Sequence, residues 1–187
     1  MTSLELKIYP DSCLRTKTRP VKQFTSEISE TLREMQVLMY ANGGIGLAAT
    51  QVGLKFRMLI VEVEDDSMWL INPEILEKSK EKSEMEEGCL SVPGITVNIK
   101  RPEKIKIRAR NERGDLFVRD LQGLAARAVQ HEVDHLNGKL IIDYLGPVRR
   151  LVAVRKIEAA KRGQKNKTCE VVCNDGKKHN RKPEQSA

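Results

Sequence analysis

Aromatic residues are scarce in this chain: three Phe, three Tyr and one Trp among 187 residues. So few rings offer little for stacking nucleobases, which weighs against a binder of single-stranded nucleic acid. Histidine is scarcer still, at three. Long apolar runs are missing. An aliphatic stretch such as Met58-Leu59-Ile60-Val61 falls far short of the roughly 20 residues that a membrane-spanning helix needs. The first residues carry neither an apolar signal core nor an Arg/Ser-rich transit character, so we expect a soluble, cytoplasmic protein with no membrane partner. Cysteines number four (Cys13, Cys89, Cys169 and Cys173), and in such a compartment they read as thiols or metal ligands, not disulfides.

What is present is an ordinary globular composition, with 40% hydrophobic residues, 12 glycines and 32% charged residues. The length suits one domain able to bury a core without staples. The formal net charge of +7 suggests an anionic partner, but its distribution matters more. Residues 147–187 hold 12 Lys and Arg against 4 Asp and Glu, whereas residues 1–146 hold 21 against 22. The body is neutral, and the excess lies in the C-terminal segment.

Ile28, Leu32, Met35 and Met39 recur at helical spacing and predict an amphipathic helix over 27–40, with Ser26 as its N-cap and Gly43-Gly44 as its stop. Short β-like runs follow at 58–64, 68–71, 95–99, 104–110 and 116–119, separated by turn signals at 65–67, Pro93-Gly94 and 111–114. A second helix is expected over 121–137, ending at Gly138, and a third from Val148 to Arg162, opened by Pro147 and ended by Gly163. The expected fold is α+β, with mixed or antiparallel sheets packed around a central helix. The expected organisation is a catalytic body (1–146), a basic helix (147–162) and a basic, mobile tail (163–187).

The chemistry concentrates on the second helix, in His131-Glu132-Val133-Asp134-His135. Histidines at i and i+4 lie about 40° apart around a helix and roughly 6 Å apart along it, so both imidazoles reach one metal ion. The adjacent Glu132 is offset from the ligands and free to move protons. This is the arrangement of metal-assisted hydrolysis. A third protein ligand is required, and Asp143, Glu158 and Cys89 are all open; Cys89, in Glu87-Gly88-Cys89-Leu90-Ser91, is a good ligand in a polar setting. In Gly44-Ile45-Gly46-Leu47-Ala48-Ala49-Thr50-Gln51 the glycines match part of a dinucleotide fingerprint, with Glu64 downstream. A helix rather than a strand precedes them, so no nucleotide cofactor is expected. Closely spaced glycines also admit a peptide laid alongside the backbone as a strand. Gln51 then offers an uncharged amide donor for an oxyanion.

Gly44 through Gln51, Glu87 through Ser91, and Gln130-His131-Glu132-Val133-Asp134-His135-Leu136 resemble, in order and in full, the three signature motifs of the peptide deformylase family. Pro10-Asp11, Leu14-Arg15 and Asn72-Pro73 extend the resemblance over about residues 5–145. It implies hydrolysis of the formyl group from the formyl-methionine of nascent peptides, with release of formate. It implies Cys89, His131 and His135 as ligands of one ion per chain, natively Fe(2+), with Zn(2+), Ni(2+) or Co(2+) as substitutes. It also implies Glu132 as general base and then acid, with Gln51 and the Leu90 backbone N–H on the oxyanion. Gly44, Ile45, Gly46, Gly88, Leu124, Val129 and the His131 ring would bind substrate, although Leu124 and Val129 also read as ordinary core. Arg127 stands where many relatives carry an aliphatic residue, and Arg101 reads either as a neighbour of the peptide or as a solvated strand charge.

Six basic residues on the third helix meet only Glu158, so an anionic partner is expected for 147–187; for a deformylase that partner is the ribosome and its RNA. Cys169, Cys173 and His179 lack a fourth ligand and read as incidental. Cys13 reads as structural. The rival readings are a zinc-dependent peptidase with a later carboxylate ligand, and a non-catalytic RNA-binding module.

Overall fold

The computed structural model describes residues 4–159. Its order is α1 (Ser26–Ala41), β1 (Gly46–Ala48), β2 (Met58–Val63), β3 (Asp66–Lys78), β4 (Lys82–Glu87), β5 (Val97–Pro102), β6 (Lys104–Arg110), β7 (Leu116–Gln122) and α2 (Gly123–Leu136). Residues 147–159 form a further helix, α3. The strands make a five-stranded sheet, ordered β1-β2-β3-β6-β7, and a two-stranded sheet, β4-β5. Every strand pair within these sheets is antiparallel. This is the expected α+β class, with the pairing resolved to antiparallel.

The centre is α2, which packs on β1 and β2 and also touches β5, β6 and β7. Ten of its fourteen residues are buried, including Arg127, Gln130, His131, Glu132 and His135. A helix buried all round is normally apolar; this one carries polar groups that need partners. Glycines set both of its ends. Gly123, at φ +58, turns the chain from β7 directly into the helix. The helix therefore starts later than the sequence suggests, because Leu121 and Gln122 still pair with Ile105 and Lys104. Gly138, at φ +75, would place a Cβ 2.6 Å from the Arg15 carbonyl oxygen, so a side chain is excluded there twice over.

On the other side of the sheet, α1 buries Leu32, Met35 and Met39 against Leu47, Met58, Ile60 and Ile71. Thr25, not Ser26, occupies the N-cap position. β6 alternates as its sequence dictates, burying Ile105, Ile107 and Ala109. β3 runs well past the expected 68–71, straight through Asn72-Pro73, because register shifts on either side of Ile75 absorb the missing proline donor. Asn72 adopts φ +54 and clasps Val21 through both of its amide groups, at 2.8 and 2.9 Å.

A third cluster joins Leu14, Val92, Ile99, Leu140, Ile141 and Ile142 to Ala153 and Ile157 of α3. The sequence suggests Val148, Leu151 and Val152 as packing residues beside Ile157, yet these three are 77%, 51% and 48% exposed. Ile157 fixes the phase of the helix: its partner one turn back is Ala153, which swings the earlier apolar residues outward. Arg149, Arg155 and Lys156 are exposed as well. The expected end of the helix at 160–162, the 163–187 tail and Cys169, Cys173 and His179 lie outside the described residues. No helix among the described residues is long and apolar enough to cross a membrane.

Asp143 ties these parts together. It pairs with Arg15 and with Arg150 of α3 (3.1 Å), and it accepts the Leu140 N–H at 2.9 Å. Burial raises its pKa, but the bonds from Arg15 and Leu140 outweigh burial and hold it below its ordinary 3.8. A depressed carboxylate stabilises the fold above its unfolded pKa, and that contribution is lost as pH falls through its folded value. Asp143→Asn should therefore cost about 1 kcal/mol at neutral pH, allowing for the partly exposed arginines. The gap between variant and wild type should close in acid below the ordinary carboxylate range. Denaturant titration across pH checks both.

Candidate metal centre and cleft

α2 presents His131 and His135 one turn apart, and the turn after β4 presents Cys89. Cys89 Sγ lies 3.2 Å from His135 Nε2, which lies 3.2 Å from His131 Nε2. One thiol and two imidazoles thus bring their donor atoms within 4.8 Å of one another, the one group of this kind among the described residues. Asp143 is committed to Arg15, and Glu158 is exposed on α3, so neither carboxylate stands as the third ligand. His131 Nδ1 faces Glu87 Oε2 at 2.9 Å. That contact fixes the tautomer with Nδ1 protonated and leaves the Nε2 lone pair aimed at Cys89 and His135. Burial above all lowers the His135 pKa well below its usual value, keeping the ring neutral as ligation requires. The donor set fits a transition-metal ion of the Fe, Co, Ni or Zn kind.

Glu87 is buried and held by more than His131. Arg101 Nε and Nη2 bond its two oxygens at 2.6 and 2.9 Å, and Arg127 Nη1 bonds Oε1 at 2.7 Å. Burial pushes its pKa up, but the bonds from His131 and Arg101 prevail and hold it at about 2. Arg101 reaches on to Asp134 at 2.8 Å and Tyr144 at 3.1 Å. It is therefore a buried brace for the ligand set, neither a solvated strand charge nor a residue of the cleft.

Glu132 has the opposite surroundings. It is 4% exposed, and its Oε2 has no hydrogen-bond partner among the described residues. Burial raises its pKa to about 7, against the pull of His131 and Arg101. Gly46 makes room for it, since a Cβ there would stand 2.5 Å from Glu132 Oε1. Gln51 sits in the short turn Ala49–Val52, its Oε1 fixed by the Ala48 N–H at 2.8 Å. Its Nε2 consequently faces Ser91 Oγ at 3.2 Å and Cys89 Sγ at 3.8 Å.

These groups border a cleft of about 370 Å³, lined by Gly43, Gly44, Ile45, Gly46, Gln51, Met85, Glu86, Glu87, Gly88, Cys89, Leu90, Leu124, Arg127, Ala128, His131 and Glu132. The volume lies in the range of small-molecule sites. Ile45 and Leu124 stand half exposed at its wall. Gly44 is confined by Leu90, whose Cδ1 lies 2.7 Å from where a Cβ would be. Val129, expected beside Leu124, is fully buried in the core with Leu59, Val61 and Leu70 and does not line the cleft. Five residues past Leu124, it falls about 140° away around the helix. Met85, Glu86 and Ala128, and Gly43 beyond its place as a helix stop, also line the cleft, and none of them carries a site motif. Ala128, at i+4 from Leu124, was findable from helical phase.

The family model described as polypeptide deformylase matches residues 3–151. A peptide deformylase of Thermotoga maritima is 43% identical over 152 residues, spanning 81% of this chain and 93% of that protein. Peptide deformylase 1 of Burkholderia multivorans is 41% identical over 166 residues, spanning 86% and 92%. Among solved structures, a peptide deformylase from Ehrlichia chaffeensis in complex with actinonin superposes with a TM-score of 0.83 at 35% identity, covering 87% of this chain and 99% of that one. One from Legionella pneumophila superposes at 0.81 and 36% identity, covering 86% and 96%.

Gly46→Ala should push the Glu132 carboxylate off its seat and destabilise the protein by about 1–3 kcal/mol. Cys89, His131 and His135 are untouched, so metal content after purification should match wild type. Denaturant titration and elemental analysis read the two effects.

Proposed function

The chain belongs to the polypeptide deformylase family, and from that premise we propose how its own residues divide the work. The protein is a hydrolase that removes the formyl group from the N-terminal formyl-methionine of nascent peptides, releasing formate. In our reading Cys89, His131 and His135 hold one ion, natively Fe(2+), with Zn(2+), Ni(2+) or Co(2+) able to substitute. Bound there, the ion supplies Lewis acidity toward the formyl oxygen and toward water.

Glu132 takes a proton from the attacking water and later delivers it to the departing amine. Its burial and a pKa near 7 support this role, because either protonation state is then accessible at neutral pH. Gln51 Nε2 and the backbone N–H of Leu90 hold the oxyanion as it develops. The backbone of Gly44, Ile45 and Gly46 receives the peptide as an added strand, β1 being an edge of its sheet. The methionine side chain enters the cleft beside Ile45, Gly88, Leu124 and the His131 ring.

The observation that carries this reading is the buried, unpartnered Glu132 carboxylate in the same cleft as the Cys89, His131 and His135 donors. Glu132→Gln keeps the shape and removes the base. Formate release from formyl-Met-Ala should fall by at least about 100-fold, with metal content unchanged in anaerobically purified protein. Near-normal turnover would sink the role.

We further propose that residues 1–146 form the catalytic unit and that the basic segment 147–187 docks it to ribosomal RNA in the cytoplasm. The exposed Arg149, Arg155 and Lys156 on α3 support this, as does the seating of α3 through Ala153 and Ile157, which leaves that basic face outward. Changing these three to Gln should weaken ribosome co-sedimentation and flatten its dependence on salt, while hydrolysis of a short formyl-Met peptide stays unchanged. An unaltered salt slope would remove the idea.

A further inference from the structure

Arg127 is the residue that neither the family motifs nor the ligand geometry requires. It lies on α2 one turn before His131 and is 4% exposed. Its guanidinium makes four hydrogen bonds, all to the two-stranded sheet. Nη1 donates to Glu87 Oε1 at 2.7 Å and to the Ile99 carbonyl at 2.9 Å. Nη2 donates to Ser83, at 2.8 Å to the carbonyl and 3.0 Å to Oγ. Ser83 and Glu87 stand at the two ends of one stretch of β4, and Ile99 is on β5 directly opposite Met85. Between the two clamped residues lie Met85 and Glu86, which form a wall of the cleft. Leu124, Ala128, His131 and Arg127 itself form the facing wall, all on α2.

We propose that Arg127 is a positioning residue for substrate selection: it clamps β4 to α2 at both ends of the cleft-lining segment and thereby sets the width of the slot that receives the first side chain. The planar fork of a guanidinium can hold Ser83, Ile99 and Glu87 together, whereas a single ammonium presents no such fork. No other side chain among the described residues bonds both Ser83 and Glu87. If the clamp is removed, Met85 is free to move away from Leu124 and the slot widens. Arg101 and His131 still hold Glu87, so the ligand set keeps its main support.

The inference rests on the deformylase reading, and the test separates the two. Wild-type formate release from formyl-Met-Ala tests the reading, and the behaviour of Arg127→Met relative to wild type tests the clamp. The ratio of kcat/KM for formyl-Met-Ala over formyl-Phe-Ala is independent of how much enzyme is folded. In Arg127→Met it should fall at least about tenfold, the scale on which a slot discriminates side-chain size, with the change carried mainly by KM. Hydrogen exchange should quicken in 82–87 and 97–102 of the variant but not in α1, a readout that needs no turnover. Should Arg127→Met fail to fold, Arg127→Lys gives the same test, because it restores the charge but not the fork. An unchanged selectivity ratio overturns the proposal, whatever happens to the melting temperature. So does unchanged exchange in β4 and β5.

Discussion

The Glu87 carboxylate accepts hydrogen bonds from Arg101 on β5 and from Arg127 and His131 on α2. It thereby joins the small sheet, the central helix and the ligand set at one point. Three of these charged groups are within a few per cent of full burial, and removing one partner of such a set costs about 3–5 kcal/mol because a charge is left uncompensated. The cluster is close to neutral once Asp134 is counted opposite Arg101. This explains how a helix can bury an arginine, two histidines and a glutamate without forfeiting stability. Its polar face lies against β4, β5, the Cys89 turn and Gly46 of β1, where, among the described residues, every buried side-chain nitrogen and oxygen but Glu132 Oε2 and His135 Nδ1 finds a partner.

The parts of the fold and site that could be read from sequence are those whose signal is local. His131-Glu132-x-x-His135 is one helical turn, and the alternation of β6 is one strand with one wet face. β4 is not legible in the sequence because Lys82-Ser83-Glu84-Met85-Glu86-Glu87 carries no apolar alternation: the side it turns to α2 is Ser83, Met85 and Glu87, two of which are satisfied by arginines on other elements. β1 is likewise invisible, because three residues after a glycine pair are too short a run to show a period. The roles of Arg101 and Arg127 were undecidable for the same reason, since a buried arginine and a surface arginine look alike until the partner is known. Val129 is a different case: its apolar character leaves cleft wall and ordinary core both open, and only the phase of the helix relative to the cleft decides for the core.

Charge is unevenly distributed along the chain. The body is neutral overall yet contains a dense internal set of paired charges, whereas Arg149, Arg155 and Lys156 of α3 are exposed. α3 is not a loose appendage over its described length, because Ala153 and Ile157 are nearly fully buried against the body. A basic face presented on a seated helix has a fixed direction relative to the cleft. An anionic surface that engages this face would therefore orient the cleft as well as raise its local concentration.

The two glutamates of the centre show how environment rather than residue type assigns the chemistry. Glu87 and Glu132 are both buried, and burial alone would make each of them a weak acid. Glu87 receives donors from three side chains and stays ionised, with a pKa of about 2, so it can serve only as a fixed negative anchor for the His131 ring. Glu132 has one oxygen without a donor and stands near 7. Of the two it is the carboxylate that can hold or release a proton near neutral pH, which is what our proposal asks of it. Gly46 belongs to the same arrangement. Its closeness to Gly44 invites comparison with a dinucleotide fingerprint, but its missing side chain instead gives the Glu132 carboxylate the space it occupies. The glycine, the buried carboxylate and the edge strand that carries that glycine are therefore one constraint: in our proposal the backbone that receives a peptide must also pass close to the group that acts on it.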